Sequence, residues 1–233
     1  MPYNERSHSN YYFLGQLKSP GQYTMLIPFL GMTCFVILYL IAALVYPGGS
    51  AVNPQQVGFS FWNNYLCDLL DEFAINGSLN SARLYARLAL GVLCTSLMLL
   101  WFYLPKLFVR KTLNQYIMWF SGLLAFLVVF FMAGNSHDLI VRIAGVFGVV
   151  AFISCSRELL RAGYYRLGLL GLFCLLIFAV NYYIYETGIN IILLPLIQKI
   201  TFVSCLIWFF GLNYCLMKRL KETVPRKNPD SIT

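Results

Sequence analysis

Six mostly apolar stretches of roughly twenty residues each follow one another along the chain, at about 23–46, 86–105, 114–134, 138–156, 166–185 and 195–217. A helix of about twenty apolar residues spans the hydrocarbon core of a bilayer, so the pattern predicts six transmembrane helices. The opening "MPYNERSHSNYYFLGQLKSP" lacks the short apolar core of a signal peptide, and no small-residue cleavage site follows the first apolar run. The first run is therefore expected to remain as a span. The organisation expected is an N-terminal segment over 1–22, one membrane domain over 23–217 and a polar, basic tail over 218–233.

One polar connection departs from this pattern. In "FWNNYLCDLLDEF", residues 61–73, Trp62, Tyr65, Leu66, Leu69 and Phe73 follow the i, i+3, i+4, i+7 spacing of a helix face. Asn64, Asp68, Asp71 and Glu72 share the opposite face, and Asn76-Gly77 is a stop signal. The spacing predicts a short amphipathic helix over about 59–74, lying on the membrane surface with its aromatic residues at the boundary. The fold class expected is all-α integral membrane, with six transmembrane helices and one short amphipathic interfacial helix on the outer side.

Composition agrees with the membrane class. Of 233 residues, 59% are hydrophobic and 11% charged, and the mean hydropathy is +0.69. A soluble domain carries roughly 25% charged residues. The formal net charge of +8 does not indicate a nucleic-acid partner, because the basic residues lie in short clusters between apolar runs and not on one solvated face. The clusters report topology instead. Arg6, Lys18, Lys106, Arg110, Lys111, Arg157, Arg161, Arg166, Lys218, Arg219, Lys221, Arg226 and Lys227 fall on one side of the six-span map. Only Arg83, Arg87, Arg142 and Lys199 fall on the other. The positive-inside rule places the richer side, with both termini, in the cytoplasm, and the expected location is the plasma membrane. Six of the seven cysteines lie in or at the end of apolar runs, and no CxxC pair suggests zinc or redox work.

Candidate chemistry collects on the outer side. Arg142 falls about one turn inside its span, with Asp138 at i−4, and Lys199 is flanked by apolar residues in "INIILLPLIQKI". Charges so placed face a bundle interior or a wet cavity, or reach back to the interface. Asn64, Asp68, Asp71, Asn80, Arg87, Asp138, Arg142 and Lys199 are the candidate ligand-binding residues, with Glu72, Glu186 and Gln198 beside them. Asp68 and His137 are the candidates for general acid or base work. Structural ion pairing between helices would use the same residues. Only two histidines are present, His8 and His137, too few for a zinc hydrolase with about three membrane-embedded His ligands, so no metal or cofactor is expected. Ser136, His137 and Asp138 are adjacent and point different ways on a helix, so they form no triad among themselves. "NGS" at 76–78 is a glycosylation sequon. Gly145, Gly148, Gly168 and Gly171 are expected to permit close helix packing.

The run "FWNNYLCDLLDEFAINGSLNSARLYARLAL" resembles the segment after the first helix in a prokaryotic six-span family, domain of unknown function nine-nine-eight. Asn64, Tyr65, Leu66, Asp68 and Leu69 match its N-[YF]-[LI]-S-D-L motif, with Cys67 in place of the usual serine. Gly77 and Asn80 match the G-x-x-N that follows, and "NSHDLIVRIAGVFGVVAF" is similar to a later stretch. The resemblance covers about a third of the chain. It implies the six-span fold and draws attention to Asn64, Asp68, Asn80 and His137, but it implies no activity. A likeness to Frag/DRAM-type six-span proteins is one of topology.

The function expected is an outer-facing polar site for a lipid headgroup or small polar solute, with membrane lipids as partners. The alternatives are a transporter working by alternating access and a non-catalytic scaffold or assembly protein. A cytoplasmic half without deep charges favours a site open to one side. Asp68→Asn is expected to destabilise the protein more than Glu158→Gln on the cytoplasmic side.

Overall fold

The computed structural model describes residues 14, 18–21, 23–130 and 137–223. Six helices dominate them: α1 Leu26–Leu44, α2 Arg83–Tyr103, α3 Leu113–Phe130, α4 His137–Arg161, α5 Tyr165–Thr187 and α6 Leu194–Thr223. Each lies in a helical segment long and apolar enough to cross a membrane. The expected spans are all present, and α4, α5 and α6 run further at both ends than the apolar runs alone indicated. α4 continues through Arg157 and Glu158 to Arg161, and α6 continues through Lys218, Arg219 and Lys221 to Thr223. Straight-chain Lys, Arg and Glu are good helix formers, so the helices run on past the apolar stretches.

Consecutive helices pack side by side, and α6 returns to touch α1, which closes the bundle. Asn213 on α6 reinforces this closure by donating from Nδ2 to Met25 O at 3.1 Å. α2 presents a closely spaced buried stripe from Ala86 to Trp101. Trp101 meets Phe126 of α3 and Trp208 and Phe209 of α6, while Phe152 of α4 stacks on Trp208 with centroids 4.4 Å apart. Both buried indoles find acceptors, Trp101 Nε1 at Met118 O and Trp208 Nε1 at Leu167 O, so these rings contribute area without an orphaned donor. Gly122 lies directly against the Trp101 indole and Gly171 against Trp208 and Ser156, where a β-carbon would collide. Gly168 likewise lets Leu160 approach, whereas nothing crowds Gly148, so the close packing expected at four glycines is found at Gly168 and Gly171. The opposite faces of α1 and α5 expose Ile27, Leu30, Leu40, Leu169, Leu172 and Leu176, an apolar belt suited to lipid.

The connection between α1 and α2, residues 45–82, folds into a cap over one end of the bundle. It does not contain the amphipathic helix expected over 59–74. Apart from a 3-10 turn at Cys67–Leu69, this stretch is a succession of bends and turns. The physical reason lies in its short polar side chains. Asn64 and Asp68 take the backbone N–H groups of Ser60 and Tyr65, and Gln198 takes that of Leu66. Side-chain acceptors of this kind compete with the helical ladder. Two isolated bridges, Gly48 to Val57 and Phe73 to Leu79, tie the ends of the loop. Gly49 sits at φ +83° against the backbone of Ile75 and Asn76, a conformation and a close approach that only glycine tolerates.

Candidate functional site

Asn64 is the hub of the cap. Its side chain is fully buried and makes four hydrogen bonds. Nδ2 donates to Gly49 O at 2.7 Å and to Asp68 Oδ2 at 2.9 Å. Oδ1 accepts from Ser60 N at 2.8 Å and from Gln56 Nε2 at 3.1 Å. One carboxamide thus joins four points of the loop. Asp68 Oδ2 also accepts Tyr65 N at 2.9 Å. Asn80 plays the matching part at the start of α2: Nδ2 donates to Asp68 O and Asp71 O, and Oδ1 accepts Ala82 N. Its side chain closes an Asx turn just ahead of the helix and holds the preceding turn at once.

α6 reaches into this loop from below. Lys199 Nζ donates to Asn64 O at 2.6 Å and to Pro195 O at 3.0 Å, and it lies 5.7 Å and 5.3 Å from the ring centroids of Phe59 and Phe61. Backbone carbonyls and ring faces solvate an ammonium that is 5% exposed. Gln198 Oε1 accepts Leu66 N at 2.8 Å. From α1, Tyr39 donates its hydroxyl to Leu66 O at 2.7 Å, and from α2, Arg87 donates from Nε to Leu70 O at 3.2 Å. Three spans therefore hold one short piece of chain.

Burial holds the Asp68 carboxyl above the usual carboxylate range. Donation from Asn64 and Tyr65 opposes this, Asp71 adds to it, and the Lys199 charge opposes it. The Cys67 thiol is pushed up to about 12, first by burial and then by the neighbouring acids, so it is a poor nucleophile at neutral pH. A raised Asp68 pKa has a definite consequence for stability. Between the ordinary carboxylate value and the raised one the folded chain binds more protons than the unfolded chain, so stability falls as pH rises through that window. Asp68→Asn should flatten this slope, as measured by thermal unfolding in detergent across the acidic range. An unchanged slope would show that Asp68 is not its source.

Of the predicted residues, the cap gathers Asn64, Asp68, Asp71, Asn80, Arg87, Gln198 and Lys199. Asp71 is exposed, though its backbone carbonyl is used by Asn80. Glu72 pairs with Arg83 at 3.2 Å on the surface. Arg142 pairs with Glu186 at 3.0 Å between α4 and α5. Among the described residues, no hydrogen bond joins this pair to the Asn64–Asp68 network. The side chains of His137 and Asp138 lie outside the described residues. Asn76 of the sequon is exposed, and its Oδ1 accepts from Ser78.

The other end of the bundle holds a polar group that sequence reasoning passed over. Glu158 is 3% exposed, which corrects its placement in a solvated connection. Oε1 accepts Asn114 Nδ2 at 2.9 Å, Oε2 accepts Gln115 Nε2 at 2.8 Å, and Arg161 lies at 3.5 Å. Once α4 extends to Arg161, Glu158 turns inward and meets the first turn of α3. The adjacent amides of Asn114 and Gln115, opening an otherwise apolar helix, were the available signal. No family model matches this chain, nor does any curated protein or solved structure.

Proposed function

We propose that this chain is a non-catalytic six-span membrane protein whose cap is a rigid surface for assembly with another membrane protein. One observation supports this above the others: the charged groups that chemistry at the cap would need are engaged internally. Asp68 Oδ2 is shared by two donors, and Lys199 is spent on two carbonyls. Both residues are less than a tenth exposed. What the cap presents outward is Val57, Trp62, Phe73 and Leu79, each more than half exposed, interleaved with Asp71 and Glu72. A protein surface accommodates such mixed apolar and charged contacts. Under this reading both termini are cytoplasmic and the cap is extracytoplasmic, as the division of basic residues supports. The resemblance to domain of unknown function nine-nine-eight is retained as part of the proposal.

Two measurements in native membranes test it. A photo-crosslinking amino acid at Trp62 should give a discrete protein adduct that the same probe at Leu176 does not give. Lipid adducts alone at Trp62 would remove the assembly reading. In a background without the other cysteines, Ser78→Cys should react with an impermeant thiol reagent in intact cells. Labelling only after permeabilisation would invert the topology.

A further inference from the structure

On the side of the bundle, a cavity of about 470 Å³ runs between α4 and α5. Leu175, Phe178, Ala179, Tyr182 and Glu186 of α5 line it at i, i+3, i+4, i+7 and i+11, one continuous face of the helix, with Val149 of α4 opposite. α4 supplies little bulk here. A β-carbon at Gly145 would lie 3.7 Å from Phe178 Cζ, and one at Gly148 would meet nothing within 4 Å. Ala179, Tyr182 and Tyr183 are exposed along the cavity, so it is a groove open to whatever surrounds the spans.

Length and charge together identify the chemistry of the occupant. From Leu175 to Glu186 the lining face rises about 16 Å along α5. One leaflet of the hydrocarbon core is about 15 Å deep, half of the whole. The groove therefore runs the depth of one leaflet, apolar below and charged at its upper end, which is the capped end of the bundle. There Arg142 Nη2 meets both oxygens of Glu186, at 3.0 and 3.3 Å, and the Tyr182 hydroxyl bonds the same carboxylate. More than half of the Arg142 side chain remains exposed, as does a third of Glu186. Tyr182 and Tyr183 flank this end, and tyrosines favour the level of lipid headgroups.

We propose that this groove holds one acyl chain of a zwitterionic phospholipid, with the phosphate on Arg142 and the ammonium on Glu186. Neighbouring phosphate and ammonium groups match a neighbouring guanidinium and carboxylate. A headgroup that is only anionic meets Glu186 with the wrong sign, so the pair selects against it. Below the pair, Val149, Leu175 and Phe178 offer the chain an apolar bed. The convex apolar face of α1 offers neither feature and serves as the reference for lipid that merely surrounds the protein. This site is separate from the cap and does not depend on the assembly reading.

The test uses the purified full-length protein in phosphatidylglycerol nanodiscs. A trace of phosphatidylethanolamine with a diazirine midway along one acyl chain is added, or the same amount of phosphatidylglycerol with the same chain. Adducts are mapped by mass spectrometry. The phosphatidylethanolamine probe should label Val149, Leu175 and Ala179 about tenfold more than its counterpart does, while both label Leu30 and Leu40 on α1 equally. Arg142→Ala should weaken the groove signal about tenfold, and Glu186→Ala should erase the preference between the probes. The pair is exposed, so neither change costs much stability. Ala179→Trp fills the groove and leaves the ion pair in place, and it should remove the adducts at Val149 and Leu175 but not those on α1. Groove adducts no denser than those on α1, equal labelling of the groove by the two probes, or a groove signal that survives Arg142→Ala or Ala179→Trp would overturn the proposal.

Discussion

Asn64→Ala should cost about 3–4 kcal/mol of stability and open the cap before the bundle unfolds. The substitution removes the Asn64 side of four hydrogen bonds at a fully buried position. It strands Gly49 O and Ser60 N, and takes one of two donors from Asp68 Oδ2, in a site that water reaches poorly. Each unmet buried group costs about 1–3 kcal/mol, part of which local opening recovers by admitting water. The readout follows from that recovery. Cys67, unreactive in the closed cap, should become alkylated at neutral pH in the variant, with the modified residue identified by mass spectrometry. Unchanged protection of Cys67 together with an unfolding temperature within a degree or two of the parent would show that Asn64 does not hold the loop.

Glu158→Ala should be comparably damaging at the other end, by about 2–4 kcal/mol, because it leaves one N–H of Asn114 and one of Gln115 without an acceptor inside the bundle and takes the partner from the half-exposed Arg161. Glu158→Gln retains one acceptor but turns a second donor toward Asn114 or Gln115, and it should cost about 2 kcal/mol. This reverses the ranking expected from sequence, in which Asp68→Asn was the more disruptive of the two amide substitutions. Asp68 sits in a site that already disfavours its charge, so the neutral amide gives back part of what it loses. Paired thermal-denaturation curves of Asp68→Asn and Glu158→Gln in one detergent decide between the rankings.

The six helices were legible because hydrophobicity at the scale of a bilayer is a local property, visible in any twenty consecutive residues. The cap was not, because its organisation is non-local. The bond from Lys199 to Asn64 O spans 135 residues, and that from Leu66 to Gln198 spans 132. The apolar spacing of Trp62, Leu66 and Phe73 imitates a helix, yet Trp62 and Phe73 are exposed while Leu69 and Leu70 carry the burial. Periodicity located the right residues and gave them the wrong backbone. Asp68 and Lys199 were brought to one place, as the expense of placing an ammonium in an apolar segment implied. Arg142 found Glu186, a partner 44 residues away that helix spacing could not indicate. Glu158 was missed because its flanking arginines mark a membrane boundary, and a boundary residue reads as solvated until the helix is seen to turn it inward.

The reach of Lys199 into the 45–82 loop also sets an order in time. The ribosome delivers α1, the loop and α2 long before α6 exists, and the Asn64 carbonyl must wait through more than half of synthesis for its ammonium partner. Tyr39 and Arg87 can grip the loop early, but its final clasp arrives with the last span. The nascent protein therefore carries its own completion mark: a chain cut short before α6 shows an unfastened loop with an open Cys67, a feature by which quality-control machinery could distinguish it from the finished molecule.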